Sequence, residues 1–70
     1  TWKEEREYEQ LEGDIAALEE EKRQLSDEMN GEASEDYARL AEIGERIREL
    51  DARITALSDR WLELAARLEE

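Results

Sequence analysis

Apolar residues recur along this chain at alternating steps of three and four, in two runs separated by Asn30-Gly31. The first run is Tyr8, Leu11, Ile15, Leu18, Leu25 and Met29. The second is Leu40, Ile43, Ile47, Leu50, Ile54, Leu57, Trp61, Leu64 and Leu68. Such steps average to a seven-residue, two-turn repeat, which lays one apolar seam along a helix and requires a partner helix to cover it. Two such seams in one short chain, joined by a turn signal, cover each other when the chain folds back. The sequence predicts an all-α fold: a two-helix antiparallel coiled-coil hairpin over residues 1–70, with helices at about 2–29 and 35–69 and a turn at about 30–34.

Assigning the seam to positions a and d fixes the layers. In the first half a falls at Tyr8, Ile15, Lys22 and Met29, and d at Glu4, Leu11, Leu18 and Leu25. In the second half a falls at Leu40, Ile47, Ile54, Trp61 and Leu68, and d at Ile43, Leu50, Leu57 and Leu64. Folding back at the gap pairs Leu25 with Leu40, Lys22 with Ile43, Leu18 with Ile47, Ile15 with Leu50, Leu11 with Ile54 and Tyr8 with Leu57. Trp61 then lies opposite Glu4, and Trp2 sits one turn away.

The flanking charges give an independent reading of orientation. The g positions are Glu7, Asp14, Glu21 and Glu28 in the first helix, and Arg39, Arg46, Arg53, Arg60 and Arg67 in the second. An antiparallel hairpin sets g against g, pairing Glu28 with Arg39, Glu21 with Arg46, Asp14 with Arg53 and Glu7 with Arg60. A parallel homodimer sets Glu7 near Glu12 and Asp14 near Glu19, and like charges there oppose association. The charges select the antiparallel hairpin, as a monomer or weak dimer.

End signals agree with this layout. Thr1 through Glu4 match the Thr-x-x-Glu capping box. Gly31 is suited to the left-handed conformation that stops a helix, and Ser34 is placed to cap the next one with Glu35 and Asp36 near its positive end.

Chemistry has few carriers here. The sequence holds no His, Cys, Pro or Phe, so the usual neutral-pH proton carrier and a thiol nucleophile are both missing. There is no glycine-rich phosphate loop. Consecutive acidic residues such as Glu19, Glu20 and Glu21 point in different directions on a helix, so no metal site is expected. No catalytic, cofactor or metal residue is assigned, and the chain is not expected to be an enzyme. Lys22, on the seam, is either a buried charge that binds a ligand or, as the favoured expectation, a stem packed on Leu18 and Ile43 with its ammonium reaching out to Asp or Glu neighbours.

Charge sets limits on partners. The balance of 10 basic and 22 acidic residues gives a net charge of −12, a field that repels phosphate backbones and anionic lipid. With four arginines engaged across the seam, Lys3, Arg6, Lys22, Arg23, Arg48 and Arg67 remain scattered, with no interleaved aromatic ladder for single strands. No apolar run reaches membrane-spanning length, so no membrane contact is expected, and the absence of Cys suits a cytoplasmic location. Trp2 and Trp61 mark the open end, either as a cover for it or as a docking surface.

The opening Thr1, Trp2, Lys3, Glu4, Glu5, Arg6, Glu7, Tyr8, Glu9, Gln10, Leu11 resembles the start of the C-terminal domain of Uup-type ABC-F ATPases. That start reads Ser/Thr, Tyr/Trp, Lys, two variable residues, Arg, Glu, an apolar residue, Glu, one variable residue, Leu. The closing Asp59, Arg60, Trp61, Leu62, Glu63, Leu64 resembles that family's Arg-Trp segment, and Ile15, Leu18 and Leu25 fit between them. The resemblance implies an accessory C-terminal coiled-coil domain of a soluble cytoplasmic protein with two ATP-binding cassettes. It also implies ATP and Mg in the parent rather than here, the parent's own cassettes as partners, and DNA or the ribosome as a target of the parent. Two other readings stand beside it: a purely structural or dimerising coiled-coil spacer, and the helical arm of a tRNA synthetase.

Overall fold

The computed structural model describes residues 1–69. Two helices, α1 (Trp2–Asn30) and α2 (Tyr37–Leu68), fold back on each other into a rod of 51 × 15 × 15 Å. Its length follows from the roughly 1.5 Å rise of each helical residue.

The beginning of α1 is held as its sequence demands. The Thr1 hydroxyl accepts the Glu4 backbone N–H at 3.3 Å and donates to the Glu4 carboxylate at 3.4 Å, and Glu4 also reaches the Thr1 ammonium. A capping box thereby satisfies donors that the first turn leaves without partners.

The turn departs from the sequence expectation at two residues. Gly31 stays at φ −122°, and no described residue adopts positive φ. The carbonyl of Glu28 is instead met by the N–H groups of Gly31 and Ala33, at 3.2 and 2.9 Å, so a left-handed residue is not needed to end the helix. Successive tight turns follow, with Ser34 N–H donating to Gly31 and Asp36 N–H to Ala33. They carry the chain two residues past the expected start of α2, so the cap is Asp36 and not Ser34. The Asp36 carboxylate accepts the Arg39 N–H at 3.1 Å. Ala33, only 3% exposed, plugs the closed end of the rod.

The core is a single seam. Every seam position named from Tyr8 to Leu64 is at least partly buried, and Leu68 is exposed. The two kinds of position are not equivalent. The buried helical residues, Leu11, Ile43, Leu50 and Leu64, are all d residues, whereas each a residue, including Ile15, Ile47, Ile54 and Trp61, stays at least partly open. On a helical wheel d lies beside g and a lies beside e. Clasped arginines and glutamates at g close over these d residues, while Leu18 and Leu57, beside the unclasped Asp14 and Arg53, stay partly open. The e positions of α2 are Gly44, Asp51, Ser58 and Ala65, whose short side chains leave a uncovered.

Candidate functional site

The two flanks of the seam are chemically different. On the g flank, guanidinium groups of α2 clasp carboxylates of α1. Arg39 donates to Glu28 through Nε and Nη2, the latter at 2.8 Å. Arg46 donates to Glu21 at 2.7 and 3.2 Å, and Arg60 to Glu7 at 2.8 and 3.0 Å. Each is a two-pronged contact, the geometry that a planar guanidinium and a carboxylate share. Donation from arginine holds the carboxyls of Glu7, Glu21 and Glu28 below the usual carboxylate range.

Two arginines exchange the roles that the sequence suggested. Asp14 does not bond Arg53: its carboxylate accepts the Gln10 side-chain amide at 2.9 Å, and Arg53 has no ion pair among the described residues. Aspartate is one methylene shorter than glutamate, and a neighbour one turn away on its own helix supplies a donor without crossing the seam. Arg67, in contrast, is engaged, donating to Glu4 at 3.0 Å across the open end, which lowers the Glu4 pKa. Lys22 extends from the seam to Asp51 of α2. Arg23 pairs with Glu20 and Asp27, and Arg48 with Glu45, within their own helices. Among the described residues this leaves Lys3, Arg6 and Arg53 without a carboxylate partner, and they do not form one patch.

The tryptophans are separate. Trp61 faces Tyr8, not Glu4: the rings stack with centroids 5.3 Å apart and planes 19° from parallel. Two aromatic a residues meeting across the seam bury more apolar surface than an indole against a carboxylate, and Glu4 is already taken by Thr1 and Arg67. The Trp61 indole N–H is buried with no acceptor. Trp2 is 66% exposed, with the Arg6 guanidinium 4.9 Å from its ring centroid, a cation–π contact on the surface of α1. The sequence placed the two indoles at the open end, as a cover or as a docking surface; the structure leaves Trp2 exposed there and bridges that end with Glu4 and Arg67.

The e flank carries no arginine clasp, and Lys22 reaches Asp51 across it. Near the open end a groove of about 340 Å³ runs between the helices, with Ile15, Ala16, Trp61 and Leu62 as its apolar surface and Glu12, Glu19 and Ser58 along its edges. Sequence reasoning did not find this groove. Its signal lay in the e positions, where the small residues of α2 stand against acidic residues of α1.

Among the described residues no cluster of three His, Cys, Asp or Glu is set to hold a metal ion, and no helix is long and apolar enough to cross a membrane. Nothing matches the chain among curated proteins or among solved structures. A family profile does match, over residues 1–66, and so covers both helices almost to the end of α2. That profile is the ABC transporter C-terminal domain, and the chain belongs to this family.

Proposed function

We propose that the hairpin is the accessory arm of a Uup-type ABC-F ATPase, assisting the parent protein in engaging nucleic acid or the ribosome. The observation that carries this reading is the family match across residues 1–66, since it spans the hairpin as a unit. The residues behind the Uup-type resemblance support it. Thr1 and Glu4 form the cap, while Arg60 and Trp61 clasp Glu7 and stack on Tyr8, so the two resembling segments meet at one end of the rod. In this reading the parent is cytoplasmic, ATP and Mg belong to its cassettes, the end bearing Trp2 and Trp61 faces them, and the tip around residues 30–34 reaches outward.

A specific observation favours a second reading, a structural spacer without nucleic-acid contact. Most arginines are bound to carboxylates, and a phosphate would have to displace those partners against a net charge of −12. One experiment separates the two. The parent is assayed for ATPase activity and for co-sedimentation with ribosomes and duplex DNA in three forms: intact, lacking the hairpin, and carrying Lys3→Gln, Arg6→Gln and Arg53→Gln. Loss on deletion is expected. A loss in the triple variant as well indicates direct phosphate contact, and an unaffected triple variant indicates the spacer. Full activity after deletion overturns the accessory role.

A further inference from the structure

The groove on the e flank is unlike the rest of the hairpin's surface. Its floor is apolar and includes Leu62, which is 58% exposed, whereas the opposite flank is bridged by arginine clasps and opens where Asp14 and Arg53 do not pair. Its rim is acidic. Glu12 and Glu19 stand one heptad apart on α1 and take part in no ion pair among the described residues, although most of the chain's cations are paired with nearby carboxylates. Trp61 forms part of its wall, and the indole N–H of that residue, buried with no acceptor among the described residues, reports on its packing.

An apolar groove beside the seam, with unpaired charge of one sign along it, is the surface that a third helix covers in a helical bundle. The sign of the charge selects the occupant. Nucleic acid and anionic lipid bring negative charge to Glu12 and Glu19, and a second copy of this chain brings another net −12. We propose that this groove receives a basic amphipathic helix of a partner polypeptide, its apolar stripe against Ile15, Ala16, Trp61 and Leu62 and its lysines or arginines beside Glu12 and Glu19. The groove offers this surface whatever the identity of the parent protein.

The test uses the hairpin with Trp2→Phe, so that Trp61 is the sole indole. The probe is a synthetic three-heptad peptide with leucine on one face and lysine on the other, with the matching leucine–glutamate peptide as control. The lysine peptide is expected to shift the Trp61 indole N–H resonance saturably, and the glutamate peptide to leave it in place. Ala16→Arg, which fills the groove, and the pair Glu12→Gln with Glu19→Gln are each expected to weaken binding by about tenfold, or about 1.4 kcal/mol. Glu32→Gln with Glu35→Gln removes the same charge at the tip and is expected to change affinity less than about twofold. Far-UV circular dichroism checks that each variant remains helical. The proposal is overturned by an unmoved Trp61 resonance, by equal weakening from the tip variant, which signifies diffuse charge attraction, or by sedimentation as a dimer that Ala16→Arg dissociates. None of these results bears on the family-based reading, which is tested on the parent.

Discussion

Truncating Leu50, Ile54 and Leu62 to alanine in turn measures the one-sided closure of the seam. Leu50 is a d residue 1% exposed, Ile54 is a partly exposed a residue, and Leu62 lies outside the seam at 58% exposure. Replacing a buried leucine by alanine costs about 2–5 kcal/mol, with the high end reserved for sites where a cavity persists. A rod only two helices thick relaxes into such a space readily, so Leu50→Ala is expected near the low end, about 2–3 kcal/mol. Ile54 already meets water on its e side, and about 1–2 kcal/mol is expected there by the same area reasoning. Leu62→Ala is expected to fall within about 0.5 kcal/mol, because little burial is lost and alanine favours helix. A domain of this size holds roughly 3.5–10 kcal/mol in total at typical stability per residue, so Leu50→Ala removes a large part of it. Urea unfolding followed by far-UV circular dichroism is the assay. With a slope of about 1 kcal/mol/M the midpoint falls by about 2 M for Leu50→Ala. If Ile54→Ala costs as much as Leu50→Ala, the a side is closed in solution and the asymmetry between the flanks is refuted.

Exchanging a clasp, with Glu21→Arg and Arg46→Glu in one chain, is expected to melt above either single substitution, because complementarity returns only in the pair; a double variant no better than the singles places these residues apart. Acidification has a defined sign. Arginine donation holds the folded-state pKa values of Glu7, Glu21 and Glu28 below the ordinary 4.5, so their contribution is present above that pH and disappears as pH falls through the lowered values. Thermal melts from about pH 6 to about pH 2 are expected to show this loss, and the triple glutamine variant to show less of it. Gly13 is helical and exposed, and a methyl group in place of its hydrogen meets nothing within 4 Å. Gly13→Ala is therefore expected to stabilise by about 0.5–1 kcal/mol, raising Tm by several degrees. An unchanged melt refutes the view that Gly13 is only a weak helical position. Duplex DNA is expected to bind the hairpin weakly and to dissociate as salt rises; tight binding at moderate salt means that the clasped arginines open for phosphate.

The fold was readable because two patterns with independent causes coincide. Leucine and isoleucine spacing reports where a helix hides from water, and the opposite charges at g report which way the second helix runs. Glu28–Arg39, Glu21–Arg46 and Glu7–Arg60 sit where both patterns place them. What the heptad frame does not encode is reach. Asp14 falls short of Arg53 and turns to Gln10, while Arg67 stretches back to Glu4. The stacking of Tyr8 on Trp61 escaped the layer assignment because aromatic rings extend beyond the layer of their own Cα. At the turn, side-chain preference suggested Ser34 and a left-handed Gly31, but backbone bonds from Gly31 and Ala33 met the Glu28 carbonyl first. The groove was hidden for another reason: it is made by what the e residues lack, and small side chains read as filler in a linear pattern.

The Glu4–Arg67 bridge also determines how the rod responds to force. It ties the first turn of α1 to the last turn of α2, so these two turns lie side by side. Tension applied between them does not shear the whole seam at once. It opens the rod like a zipper, loading the Tyr8–Trp61 stack and the Glu7–Arg60 clasp before anything further along. Each rung yields in sequence, and the Ala33 plug at the far tip is the last to feel the load. Pulled apart at its open end the rod is compliant; pushed sideways at its tip it acts as a lever about 51 Å long.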